Sequence, residues 1–195
     1  MTLTAEPSTA LRTVLHVGCG LADPDKLPPA FFTPGAWQEV RLDIDPGVAP
    51  DIVASITDMG MVNEASVDAV WSAHNLEHLF AHEVPLALAE FRRVLRPGGF
   101  ALVTMPDLQR AAALVAQDRL EEPAYVSPAG AIAPLDMLFG HGAAIAAGNH
   151  FMAHRTGFTA RTLEAALRRA GFATVRVVRD EAFALWGTAF VAPAG

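Results

Sequence analysis

The sequence predicts an α/β fold, a mainly parallel β-sheet covered by helices on both faces and closed by an antiparallel hairpin. Three observations carry the prediction. Short apolar strand candidates alternate with helical segments through the middle of the chain. The first strand candidate is broken at once by glycines, and the second ends in acidic residues. Two strand-like segments, Phe172 to Val178 and Phe183 to Val191, lie back to back at the end with only residues 179–182 between them. With 195 residues and 52% apolar content, one core and a single domain over residues 1–195 are expected.

In chain order, residues 1–10 read as a frayed polar leader, and Thr13 to Val17 as a buried strand stopped by Gly18-Cys19-Gly20. Pro24, Pro28, Pro29 and Pro34 then exclude an unbroken helix before Trp37, since an interior proline costs about 3 kcal/mol. A helical turn or two between the prolines is all that is expected. Glu39 to Ile44 reads as a second strand ending near Asp43 and Asp45, and Asp51 to Ala54 as a short third. The few residues between Asp45 and Asp51 fall short of the roughly 10 to 12 that a helical crossover takes, so the helix between strands 2 and 3 is missing.

Val67 to Ser72 is the fourth strand candidate, and Ala81 to Leu95 has helical spacing with Leu86, Leu88, Phe91, Val94 and Leu95 on its expected buried face. Pro97-Gly98-Gly99 stops that helix and launches a strand from Phe100 to Met105. A further helix is expected from the N-cap Asp107 to about Leu120. Residues 121–158 show no clean period and read as a substrate-side insertion or lid. Thr159 to Ala170, with Thr159 as cap and Gly171 as stop, reads as the last helix.

A net charge of −7 gives no positive field for phosphate backbones or anionic headgroups, which disfavours nucleic acid and membrane as partners. The single Cys19 excludes an internal disulfide, no apolar run reaches the roughly 20 residues of a membrane span, and the N-terminus lacks signal-peptide character. A cytoplasmic location is expected, with a small-molecule substrate as partner and a homodimer open.

Four pieces, VLHVGCG at Val14 to Gly20, RLDIDP at Arg41 to Pro46, VDAVWSAHNLEHL at Val67 to Leu79 and FRRVLRPGGF at Phe91 to Phe100, fall in an order that resembles the class I S-adenosylmethionine (SAM)-dependent methyltransferases. The chain looks most like the short bacterial members of the broad family that includes ubiquinone C-methylases. The resemblance covers residues 13–105 and implies a Rossmann-like sheet with SAM as cofactor. It implies that Gly18, Cys19 and Gly20 lie under the methionine end of SAM, and that Asp43, with Ile44 beside it, meets the ribose; Asp45 is the rival carboxylate. It implies Asp58 at the adenine amino group, with Met59 beside the ring. His74, after the fourth strand, is the candidate for contact with SAM and acceptor and for the catalytic base. The third glycine of the family's loop pattern is replaced by Ala22.

The histidines invite a metal reading that the sequence does not favour. His74, His78 and His82 are spaced for one helix face, but Glu77 and His78 are read as satisfying local backbone. His141, His150 and His154 have no cysteine with them, so His150 and His154, with Arg155, are read as substrate contacts and no metal is expected. Arg155 either binds a carboxylate or pairs with a surface acid. The expected reaction is methyl transfer to an O, N or C atom of a small, partly apolar molecule. The rivals are intramolecular displacement on SAM's aminocarboxypropyl chain and a non-catalytic binding module.

Overall fold

The computed structural model describes residues 11–195; the frayed start expected at residues 1–10 lies outside the described residues. The first strand, β1 (Arg12–Val17), is central, because Val14, Leu15 and Val17 are fully buried on alternate faces. The sheet continues with β2 (Trp37–Asp43), β3 (Ile52–Val53), β4 (Val67–Ala73), β5 (Leu95–Pro106), and the closing β8 (Thr174–Arg179) and β9 (Ala184–Phe190). A separate hairpin pairs β6 (Tyr125–Ser127) with β7 (Gly130–Ile132). Strand order in the seven-stranded sheet is β3-β2-β1-β4-β5-β9-β8, with β9 antiparallel to both neighbours and all other pairings parallel. The expected mainly parallel sheet with a closing hairpin is therefore present. The order reverses between β1 and β4, the position at which such sheets open a crevice at their carboxyl ends.

One face is covered by α1 (Val84–Val94) and α5 (Ala160–Arg169), whose Leu88, Phe91, Leu163 and Leu167 are buried with Leu15, Val70 and Val103 of the strands. Thr159 caps α5 by accepting from the Thr162 N–H, and Gly171 ends it at φ 89°. The expected helix from Ala81 begins instead at Val84, where Pro85 occupies the first turn, the one place a helix tolerates proline.

Among the described residues the second face is closed without an α-helix of its own. The prolines leave only a 3₁₀ turn at Pro24–Lys26, and Leu27 and Phe32 from this segment pack on Val14, Ala69, Trp71 and Leu102. Trp71 stacks on Trp186 at 5.7 Å between ring centres, and Phe31 stacks on Trp186 at 6.5 Å. The expected helices on both faces are thus corrected: among the described residues helices cover one side and aromatic rings the other, because the prolines break the segment that would form the second layer. On the same side His16 is buried with Nδ1 2.6 Å from Glu39 Oε1. Burial pushes its imidazole below the ordinary pKa, against the pull of Glu39.

Asp45 caps a 3₁₀ turn at Pro46–Val48 that joins β2 to β3, so the helix between strands 2 and 3 is absent as expected. Strand β5 starts earlier than Phe100: Leu95 pairs with Val67, the Pro97-Gly98-Gly99 segment bulges, and the ladder resumes at Phe100 opposite Ala69. Asp107 caps α2 (Leu108–Val115) through the Gln109 N–H. That helix ends short of Leu120 because Asp118 turns left-handed, with φ 60°, and the Arg119 N–H closes on Leu114 O. Residues 121–158 hold β6, β7, α3 (Pro134–Phe139), α4 (Gly142–Ala146) and a 3₁₀ turn at His150–Met152. No helix among the described residues is long and apolar enough to cross a membrane.

Candidate active site

The site forms where β1, β2 and β4 end together. Gly18 and Gly20 both have positive φ, 58° and 59°, a conformation that L-residues with a Cβ adopt only at a cost. A Cβ on Gly18 would lie 1.7 Å from Asn75 Oδ1. Asn75 occupies that space because its Nδ2 donates to Val17 O at 2.9 Å and Ala73 O at 3.2 Å, which ties the end of β1 to the end of β4.

Asp43 faces this turn. Its Oδ2 accepts from the Gly20 N–H at 2.8 Å and its Oδ1 from the Asp45 N–H at 2.9 Å. Each carboxylate oxygen has two acceptor sites, so both keep one after these bonds. Asp45 serves its own turn, its Oδ1 accepting from the Gly47 N–H at 2.7 Å. Ile44, between them, is half exposed.

A strand end with two positive-φ glycines, a carboxylate from the adjacent strand bonded across to it and an exposed apolar residue beside that acid fit a nucleoside cofactor. A family model described as a methyltransferase domain matches residues 15–103, which spans the glycine turn, Asp43 and the end of β4. Over residues 15–103 the chain is therefore similar to a methyltransferase domain, consistent with the class I SAM-dependent methyltransferases.

The chain has the fold of solved structures of low identity. A 1,6-didemethyltoxoflavin-N1-methyltransferase from Burkholderia thailandensis is 18% identical, with a TM-score of 0.56 over 93% of this chain and 72% of that one. A SAM-dependent methyltransferase from Methanosarcina mazei is 15% identical, with a TM-score of 0.60 over 94% of each chain. An O-methyltransferase family protein, also from Burkholderia thailandensis, is 11% identical, with a TM-score of 0.58 over 94% of this chain and 52% of that one. No curated protein sequence matches.

Two cations that sequence reasoning missed hold the glycine turn. Lys26 Nζ donates to Cys19 O at 2.8 Å and Leu21 O at 2.7 Å. Arg41 donates to Gly20 O, to Ala49 O at 2.9 Å and to Val48 O at 3.1 Å, and so clamps the turn to the short connection after β2. Cys19 itself is buried, and burial pushes its thiol pKa up.

Asp58 is exposed and accepts from the Gly60 N–H at 3.3 Å. Met59, expected beside the adenine ring, is corrected by its burial: its side chain is in the main core with no exposed surface. Its backbone is fixed by α1, the N–H donating to Glu90 Oε2 at 2.7 Å and the carbonyl accepting from Arg93 at 2.9 Å.

His74 follows β4 with φ 52° and donates its N–H to Thr104 O at 2.9 Å. Its half-exposed ring places Nδ1 3.0 Å from Oε1 of Glu77, a residue only 1% exposed. Burial works against protonation of His74, but the hydrogen bond and charge of Glu77, helped by Asp180, outweigh it and raise the imidazole pKa. For Glu77 burial pushes the carboxyl up, and His74 and His78 outweigh it and hold the carboxyl below the usual range.

His74, His78 and His82 do not lie along one helix, because His78 ends a 3₁₀ turn at Leu76–His78, and His82 precedes α1 and stacks on Phe80. His78 instead meets His154 of the insertion, ring centres 4.9 Å apart. Their Nδ1 atoms lie 3.2 Å from Ala153 O and 2.9 Å from Met137 O. Burial chiefly lowers the His154 pKa. Arg155 and Thr156 donate their N–H groups to Glu77 O at 2.8 and 3.1 Å. The Arg155 guanidinium lies 4.8 Å from the Phe80 ring and forms no ion pair among the described residues. His150 is exposed at the start of its turn and outside this cluster. An open groove of about 460 Å³ lies beyond β5, lined by Leu108, Gln109, Ala112, Leu138, Thr159 and Arg161.

Proposed function

We propose that the 195-residue chain acts as one catalytic unit that transfers the methyl group of SAM to an oxygen, nitrogen or carbon atom of a small, partly apolar molecule. The observation that carries this reading is the bond from the Gly20 N–H to Asp43, which sets a bare main-chain turn and a ribose-competent carboxylate side by side. On this reading Gly18, Cys19 and Gly20 support the methionine end of SAM through main-chain atoms, since the Cys19 side chain is buried. Asp43 takes the ribose hydroxyls, Ile44 flanks the nucleoside and Asp58 meets the adenine amino group. Lys26 has spent two of its three N–H donors on the turn and offers the third to the methionine carboxylate.

SAM supplies a methyl group made electrophilic by its sulfonium, so the protein's task is alignment and removal of a proton where the acceptor carries one. His74 stands at the acceptor side, oriented by Glu77 so that its other ring nitrogen is presented outward as the base. Residues 121–158 wall the acceptor side, with His150, His154 and Arg155 as its polar contacts and Leu138 in the groove beyond β5. The Burkholderia N1-methyltransferase neighbour was solved with 1,6-didemethyltoxoflavin and S-adenosylhomocysteine bound, which supports a small-molecule acceptor.

Calorimetric titration of the purified chain tests the cofactor site. Both SAM and S-adenosylhomocysteine are expected to bind with Kd on the order of micromolar. Absence of heat with either at about 1 mM would overturn the proposal. Mass spectrometry of the nucleoside product after incubation with SAM and a panel of small acceptors then decides the reaction. S-adenosylhomocysteine marks methyl transfer, and methylthioadenosine marks intramolecular displacement.

A further inference from the structure

We propose that Glu77, His78 and His154 form a binding site for a divalent transition-metal ion of the zinc type. One donor atom from each of the three residues lies within 4.8 Å of the others. Sequence reading divided these histidines between two groups by adjacency and expected no metal. The fold joins one member of each group across the contact between the β4 end and the insertion.

Three independent features point to an ion. The first is an orphan: Glu77 is 1% exposed, its Oε1 holds His74, and its Oε2 is buried without a hydrogen-bond partner. A buried carboxylate oxygen left unmatched is costly, and a cation is the partner that answers it most directly. The second is the orientation of both rings. Nδ1 of His78 faces Ala153 O and Nδ1 of His154 faces Met137 O. A carbonyl only accepts, so both Nδ1 atoms carry the proton and both Nε2 lone pairs are left free, the arrangement that prepares imidazole as a metal ligand. The third is the donor set itself, two imidazoles and one carboxylate, which suits zinc and neighbouring first-row ions and not magnesium, which demands oxygen donors.

The spacing is compatible with a bound ion. Even at the full 4.8 Å separation, a point equidistant from three donors lies about 2.8 Å from each, so shifts of about 0.7 Å bring them to the ~2.1 Å of zinc–nitrogen and zinc–oxygen bonds. Such an ion fastens the insertion to the sheet, because His154 belongs to the insertion and Glu77 follows β4. Three protein ligands leave a four-coordinate ion one open position, for water or for an oxygen of the acceptor. The acceptor role rests on the methyl-transfer reading; the binding of the ion does not.

Calorimetric titration of the chelator-stripped full chain with zinc chloride tests the site, with cobalt chloride and its visible absorption reporting coordination geometry. One zinc per chain is expected, weakened at least about tenfold in His78→Ala and in His154→Ala and unchanged in His82→Ala, with magnesium chloride giving no comparable binding. Glu77→Gln is expected to weaken zinc as well. Should that buried substitution unfold the chain, the two histidine variants, both at partly exposed positions, still decide the matter. Lack of stoichiometric zinc in the folded wild-type chain, or zinc binding indifferent to both His78→Ala and His154→Ala, would overturn the proposal. SAM titration of the same samples reads the cofactor site separately.

Discussion

Gly18→Ala probes the junction on which the cofactor site is built. The substitution has two costs that can be separated. An alanine held at φ 58° carries backbone strain of about 1–2 kcal/mol. Its Cβ, placed 1.7 Å from Asn75 Oδ1, also expels the Asn75 side chain, which loses its bonds to Val17 O and Ala73 O at about 1 kcal/mol each. The single variant should therefore lose about 3–4 kcal/mol, and Asn75→Ala alone about 2 kcal/mol. The double variant contains the strain and the lost bonds once each and no clash, so it should also lose about 3–4 kcal/mol rather than the sum of about 5–6. Urea denaturation of the four proteins, followed by circular dichroism, measures this cycle. A double variant that matches the sum of the singles within about 0.5 kcal/mol would refute the argument that Asn75 is what forbids a side chain at position 18.

Lys26→Met should weaken SAM binding by about tenfold in calorimetry, ~1.4 kcal/mol, by freeing Cys19 O and Leu21 O and removing a donor for the methionine carboxylate; unchanged affinity would exclude Lys26 from that role. Asp107 is fully buried, caps α2 and pairs with Arg179 at 2.7 Å, so Asp107→Ala should cost about 2–4 kcal/mol in urea denaturation, and a loss under 1 kcal/mol would contradict it. The folded-state pKa of His16 is depressed by burial. The unfolded chain therefore takes up its proton first as pH falls below about 6.5, and the stability His16 contributes above that pH is lost on acidification. Stability measured at falling pH should decline less in His16→Gln than in the wild-type chain, and parallel declines would show that His16 is not responsible.

The parts of the site legible in the sequence are those that repeat a local pattern. Val14 to Val17 alternates between two buried faces, Gly18 and Gly20 end that strand, and Asp43 ends the next, so residues adjacent in sequence already imply one junction. The absent helix after Asp45 was legible for the same reason, because chain length alone forbids it. Lys26 and Arg41 escaped because they act on backbone carbonyls, and no side-chain pattern marks such targets. Met59 was misplaced because an apolar residue beside Asp58 fits a ligand wall and a core equally well until α1 is seen to cover it. The hairpin of β6 and β7 was lost in the irregular segment because three-residue strands are too short to show alternation. The meeting of His78 with His154 depends on how the insertion folds back on the β4 end, which spacing along the chain does not encode.

The aromatic layer on the second face gives this protein a built-in optical gauge. Two indoles stacked 5.7 Å apart interact electronically, and Trp71 Nε1 donates to Lys26 O, the backbone of the residue whose ammonium grips the glycine turn. Any rearrangement of residues 24–37 when a nucleoside enters is thereby transmitted to a chromophore pair. Near-ultraviolet circular dichroism of the unlabelled chain reads it directly.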